Sequence, residues 1–232
     1  MALVKYGGGI LEIRGSIGGQ VHSKNRYGHF IRQRTIPVNP NSSRQQAIRN
    51  VMGSVVSAWF SVLSAAQRSA WGVYAAAISF TNKLGETITL TGFNHYVRTN
   101  ISRVSNGLSR INDGPVDLTL PATDPIFNVA FSEATQLVTV NFDDTQPWAS
   151  QNSAFMSIHQ GIPKNSATQF FGGHFRRIGK LDGSLSSPIT SPQTVALSFP
   201  VATVQKDWAM GRIQEDDGRL SEKFRDDAVV GA

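Results

Sequence analysis

The chain has 232 residues, 22 Lys/Arg against 16 Asp/Glu for a net charge of +6, and no cysteine. Disulfide frameworks, thiolate nucleophiles and Cys-ligated zinc are thereby excluded, and no apolar run approaches the ~18 residues of a membrane span. The opening residues, MALVKYGGGILEI, lack the apolar stretch of a secretory leader, so the chain reads as a soluble protein made in a cytoplasm. Its charge is polarised. Residues 1–112 carry 13 Lys/Arg and 2 Asp/Glu, a net of +11, whereas residues 113–232 carry 9 and 14, a net of −5. A basic half and an acidic half imply two surfaces with different neighbours.

Residues 1–40 read as a basic, Gly-rich docking arm. Short β-type runs at 10–14, 20–23 and 29–34 are separated by Gly, Ser and Asn. Ile10, Leu11, Ile13, Ile17, Val21, Phe30 and Ile31 are too few to offset the entropy of ordering such a segment. The arm is therefore expected to order only against the rest of the protein or a partner.

Residues 41–112 read as a helical region. Pro37 and Pro40 stop any earlier helix, and Ser42-Ser43-Arg44-Gln45 has the form of a capping box. Ile48, Met52, Val55, Trp59 and Val62 then recur at helical spacing as one apolar stripe. Ser64-Ala65-Ala66-Gln67 is a second capping box, and Trp71, Tyr74 and Ile78 form the stripe of the helix it opens. So short a connection predicts an αα-hairpin. A β excursion over 83–90 precedes a third helix from about Thr91, with Phe93, Val97, Ile101, Val104 and Leu108 as its face. Asn112-Asp113-Gly114-Pro115 closes the region.

Residues 113–125 are the linker candidate, and 126–232 read as all-β. Phe127/Val129/Phe131, Val138/Val140/Phe142, Ala154/Met156/Ile158 and Val195/Leu197/Phe199 each alternate between turn residues. Near the end, 208–214 and 219–224 flank an Asp217-Gly218 turn, a hairpin signal. About seven strands in roughly 100 residues is the rhythm of an immunoglobulin-like sandwich.

Catalytic motifs fail on spacing. Lys24 follows Ser23 rather than Gly, so no Walker loop exists, and neither Gly7-Gly8-Gly9 nor the glycines of 15–19 match a dinucleotide fingerprint. No G-x-S-x-G nucleophile elbow is present. His22, His29, His95, His159 and His174 lack metal-ligand spacing. Asp143-Asp144 and Asp216-Asp217 sit in turn contexts that explain them without chemistry. The expectation is a non-enzyme with no cofactor and no metal.

Binding is the stronger expectation. Arg14, Lys24, Arg26, Arg32, Arg34, Arg44 and Arg49 are interleaved with Tyr27, Phe30 and glycines. Such a pattern tracks a phosphate backbone, or equally docks arginine forks on an acidic protein. Trp148 lies between strands in Thr145-Gln146-Pro147-Trp148-Ala149-Ser150. It reads either as an exposed loop anchor or as a side chain tucked under the end of the sandwich.

Gly15-Ser16-Ile17-Gly18-Gly19, Pro37-Val38-Asn39-Pro40, Gln45-Gln46 with Arg49, Trp59 with Leu63, Ala66-Gln67-Arg68 with Trp71, and Gly92-Phe93-Asn94 with Tyr96-Val97 and Asn100 together resemble a pattern in uncharacterised structural proteins of tailed bacteriophages. The C-terminal half resembles a fibronectin type III or immunoglobulin-like module, its last hairpin carrying Asp217-Gly218-Arg219-Leu220-Ser221. The resemblance implies a multi-copy, non-enzymatic virion component: capsid cement, head–tail connector or tail protein. Its implied partners are other virion proteins such as capsid, portal or tail subunits, and no membrane. The alternatives are a nucleic-acid-binding protein using the basic arm and a receptor- or carbohydrate-binding protein using the sandwich loops. The fold class expected is α+β: a β-rich arm, a small helical region with an αα-hairpin, and a C-terminal Ig-like β-sandwich.

Overall fold

A computed structural model describes residues 2–35, 38–82 and 84–232. Pro37 of the expected helix stop and Lys83 of the β excursion lie outside the described residues. The fold is α+β. It divides into two units, one of residues 1–105 with 112–118, the other of 106–111 with 119–232. The arm and the helices thus belong to one unit, and the changeover after residue 118 falls inside the Gly/Pro-rich 113–125 stretch.

In the first unit, β1 (Ala2–Val4), β2 (Gly15–Ile17), β3 (Gln20–Asn25) and β4 (Gly28–Gln33) form an antiparallel sheet in the order β1-β4-β3-β2. β3 and β4 lie where the β-type runs place them. The strand expected at 10–14 forms instead at Gly15–Ile17. There Gly18 (φ 54°) and Gly19 (φ 81°) supply the two positive-φ positions of a two-residue hairpin turn.

The helices are α1 (Ser43–Ser61), α2 (Ala65–Ala77) and α3 (Gly92–Ser105), with a small hairpin of β5 (Ser79–Thr81) and β6 (Thr87–Thr89) between the last two. Ser64 and Gln67 make the complete capping box at α2. At α1, Ser42 Oγ accepts from Gln45 N (3.4 Å), but the side chain that reaches back is Gln46, to Asn41 O (3.2 Å). Arg68 Nη1 donates to Leu63 O (2.5 Å), which satisfies a carbonyl just past the end of α1.

Val55, Ala58, Leu63, Trp71, Tyr74, Ile78 and Tyr96 build this unit's core, with Trp59 and Trp71 each packed on Tyr96 (ring centroids 5.2 and 5.7 Å apart). Two stripes depart from expectation. On α1 burial is confined to Val55 and Ala58: Ile48 and Met52 before them are exposed, and so is Val62 at the C-cap. On α3 the buried set is His95, Tyr96, Val97, Thr99, Asn100 and Arg103, because the helix is covered on more than one side and polar residues share its core.

The second unit holds two antiparallel sheets. β7 (Asn128–Ser132), β8 (Leu137–Asn141) and β12 (Gln193–Ala196) form the first, in the order β12-β8-β7. The second contains β9 (Phe155–Gln160), β10 (Lys164–Asn165), β11 (Arg176–Asp182), β13 (Gln205–Gln214) and β14 (Phe224–Val229). β13 is its spine, pairing with β9, β10 and β14. One apolar cluster fills the space between the sheets, including Val129, Phe131, Val138, Val140, Phe142, Met156, Ile158 and Ile213. The alternating residues read from the sequence supply most of it. The final hairpin forms about its Asp217-Gly218 turn: Gly218 N donates to Glu215 O (3.1 Å), Gln214 and Leu220 make an antiparallel bridge beside it, and the regular pairing of β13 with β14 starts at Gly211 opposite Phe224.

One polar knot sits inside this core. Gln160 Nε2 donates to Phe199 O (2.8 Å) and Asp207 Oδ2 (2.7 Å), while its Oε1 accepts from Ser198 N (2.8 Å) and Phe199 N (2.9 Å). The amide uses its whole hydrogen-bonding capacity. Burial pushes the Asp207 carboxyl up to about 6, against the lowering hydrogen bonds from Gln160 and Trp208 N.

Candidate assembly surface

The seven basic residues of the arm and first helix do not form one strip. The β3–β4 register sets Lys24 opposite His29 and His22 opposite Ile31, so these four share a face of the sheet. Arg32 pairs with Val21 and lies on the other face. Arg34 follows β4, its backbone N–H donating to Gly19 O (2.7 Å). Arg26 occupies the β3–β4 turn and reaches Thr89 O (3.5 Å).

Two of the seven are engaged locally. Arg14 pairs with Glu12, and that hydrogen bond holds the exposed Glu12 carboxyl below its ordinary range. Arg49 Nη2 donates to Asn39 Oδ1 (2.8 Å) and Nη1 to Asn41 Oδ1 (3.3 Å), bracing the loop that leads into α1. Arg44 is exposed in the first turn of α1, where no acidic residue answers the positive end of the helix dipole.

The scarcity of core expected of residues 1–40 extends into the first half of α1, where the sequence points to an apolar stripe. Among the described residues of 2–54, none is buried. Tyr6 packs edge-on against His29 (5.1 Å), and Lys5 pairs with Glu86 (3.3 Å), yet the sheet encloses no core. On α1, Arg44, Ile48 and Met52 stand four residues apart along one line, with Ile48 48% and Met52 41% exposed. That line runs on into the buried Val55 and Ala58. The apolar stripe therefore continues past the end of its own core.

Trp148 takes the second of its two readings: it is 1% exposed and packs on Phe142 (5.4 Å) within the apolar core of the second unit. Pro147 opens a short 3-10 turn, Pro147–Ser150, that folds the indole inward. The loop anchor is thereby corrected, because the residue is part of the apolar cluster. The same end of the unit gathers several loops. Asp144 Oδ2 accepts from Ser191 N (3.1 Å), Leu185 N donates to Asn152 Oδ1 (3.0 Å), and Asp216 N donates to Gln151 Oε1 (3.4 Å). Leu185 is 70% exposed there.

Among the described residues, no three His, Asp or Glu side chains group as metal ligands. No helix among them is long and apolar enough to cross a membrane. Burial lowers the His95 imidazole to about 4, with Arg98 adding to the effect, and its ring packs between Tyr74 and Phe80.

No protein-family model matches the sequence, and no curated protein matches it. Among solved structures, a family 76 glycoside hydrolase from a bovine Bacteroides thetaiotaomicron strain aligns at 13% identity and a TM-score of 0.32. The alignment covers 48% of this chain and 20% of that one. At that score the likeness carries no structural or functional weight.

Proposed function

We propose that this chain is a non-enzymatic, multi-copy structural protein of a tailed-bacteriophage virion. Its N-terminal sheet and the first half of α1 attach to neighbouring virion proteins, and its C-terminal unit is an Ig- or fibronectin III-like module. One observation carries the reading: the described residues of 2–54 are ordered into strands and helix without a buried side chain. A region so poor in core gains its stability by covering a partner. The exposed Ile48 and Met52 and the surrounding arginines give that surface an apolar centre and charged donors. The module reading is supported by sheets ordered β12-β8-β7 and β11-β9-β13-β14 over one core, a size and arrangement suited to a seven-strand sandwich. Phosphate tracking finds less support, because Lys24 and Arg32 lie on opposite faces and Arg14 and Arg49 are locally engaged.

Mass spectrometry of gradient-purified particles from the phage or prophage encoding the chain tests the proposal. The protein is expected in stoichiometric amounts, with cross-links from Lys24 to other virion proteins. Its absence from particles overturns the reading.

A further inference from the structure

We infer that the second unit carries an oxyanion-binding site on the face of its larger sheet that turns away from the apolar core. Arg212, His159 and Lys223 are its donors, and its ligand is a tetrahedral oxyanion, phosphate or sulfate. The inference concerns this unit alone and is independent of the virion reading.

Ala209 and Ile213 on β13, and Met156 and Ile158 on β9, belong to the apolar cluster. Side chains alternate along a strand, so Met210, Arg212, Ser157 and His159 share the opposite face. There Met210 stands opposite His159, and Arg212 opposite Ser157. His159 and Arg212 are thus diagonal neighbours, a spacing that long side chains span. Lys223 enters just before β14, whose Phe224 pairs with Gly211.

Two nitrogens on this face are buried without a hydrogen-bond partner. Arg212 Nε donates to Ser221 O (3.1 Å), which fixes the guanidinium, but Nη2 meets no acceptor. His159 Nδ1 is the other. A buried donor of a charged group left without an acceptor costs more than a neutral one. The charges that bear on the imidazole are of one sign. Burial lowers His159 below its ordinary range, the backbone of Met210 and Ser157 offsets part of this, and Lys223 and Arg177 lower it further. Lys223 lies across β13 from β9, so its ammonium reaches back over β13 to act on His159. The carboxylates that share this face are engaged elsewhere, Asp182 with Lys180 and Asp227 with Lys206.

Two cations and an imidazole therefore meet over one short stretch of β13, and an anion placed among them offsets their repulsion. The three donors come from three segments of chain. A tetrahedral oxyanion has an oxygen for each, whereas a planar carboxylate has only two.

Imidazole NMR signals of the full chain test this, followed as millimolar inorganic phosphate replaces chloride at constant ionic strength. His159→Gln identifies the His159 signals by their loss. They are expected to shift saturably while those of the exposed His174 stay fixed. With phosphate bound they are expected to titrate at a higher pH, since a nearby anion favours the imidazolium. Arg212→Met, with folding checked by its melting temperature, is expected to weaken phosphate binding about tenfold or more. Lys223→Met, at an exposed position, is expected to weaken it by a smaller factor. Sulfate is expected to compete with phosphate.

Glycerol 3-phosphate, run in parallel, separates two sources of the same chemistry. Saturation by the ester places the phosphate on a larger molecule, and its exclusion assigns the free ion. The absence of any saturable shift with phosphate and with the ester overturns the inference. So does an affinity unchanged in both the Arg212 and the Lys223 variants, or acetate that binds as tightly as phosphate.

Discussion

Gln160 ties the segment at Ser198 and Phe199 to Asp207 with a single amide. Gln160→Met keeps the volume but strands the N–H groups of Ser198 and Phe199, and is expected to cost about 3 kcal/mol in denaturant unfolding. Asp207 adds a pH dependence. Its folded pKa is raised to about 6 from 3.8, so the native state holds the proton more tightly. This contribution to stability is complete below about 3.8 and is lost as pH rises through about 6. His95 has the opposite sign. Its pKa is lowered from 6.5 to about 4, so stability present above 6.5 is lost as pH falls towards 4. Melting temperatures from pH 4 to 7 for Asp207→Asn and His95→Gln are expected to lose these slopes in opposite directions. Trp148→Ala is expected to cost about 3–5 kcal/mol as a core truncation. Gly183→Ala also destabilises, because its Cβ would lie 1.9 Å from Trp148 O. The burial of Trp148 was legible only as one of two readings, because its polar neighbours suit a solvent loop as well. The Gln160–Asp207 pairing was not legible, since it shows only once β9 and β13 are adjacent.

At the scale of elements, the local signals were legible because they act over a few residues. Ser42 and Ser64 mark the starts of α1 and α2, and the alternating runs mark strands of the second unit. Ser64→Ala, which removes half of the complete box, is expected to cost about 1 kcal/mol in unfolding experiments. The period of the α1 stripe was also legible, but not where the core beneath it stops, since that depends on which residues of α2 and α3 lie opposite. Arg44 separates stability from docking. Arg44→Glu places an acid at the positive end of the α1 dipole and is expected to add about 0.5 kcal/mol to folding. The same change should weaken attachment to neighbouring virion proteins, so a variant that melts higher and enters purified particles in smaller amounts is the expected pair of results.

For the whole molecule, the charge asymmetry and the α+β class were legible from composition and pattern alone. Strand order was not, because β1 with β4 and β9 with β13 meet across long stretches of chain. The basic residues were identified individually, but their separation onto different faces follows from the β3–β4 register. Hydrogen exchange of the isolated chain is expected to be fast across 2–54 and slow in β8, β9 and β13, matching the distribution of buried side chains. Assembly should then slow exchange in 43–54 selectively. Uniform protection of both regions in the isolated chain would contradict the view that the N-terminal region lacks a core of its own.

The last described residues lie beside β7. Gly231 N donates to Phe131 O (2.9 Å), Glu133 N donates to Gly231 O (2.9 Å), and Ser132 and Gly231 form a parallel bridge. Because the two segments run the same way, tension drawn through the chain on either side of this unit pulls them past each other. Both bonds then bear load together along their length, instead of opening one after the other as in a peeled hairpin. Stretching a single molecule from its two ends should therefore meet its first resistance here. Replacing Gly231 with proline, which removes one donor, should lower the force at which the second unit yields.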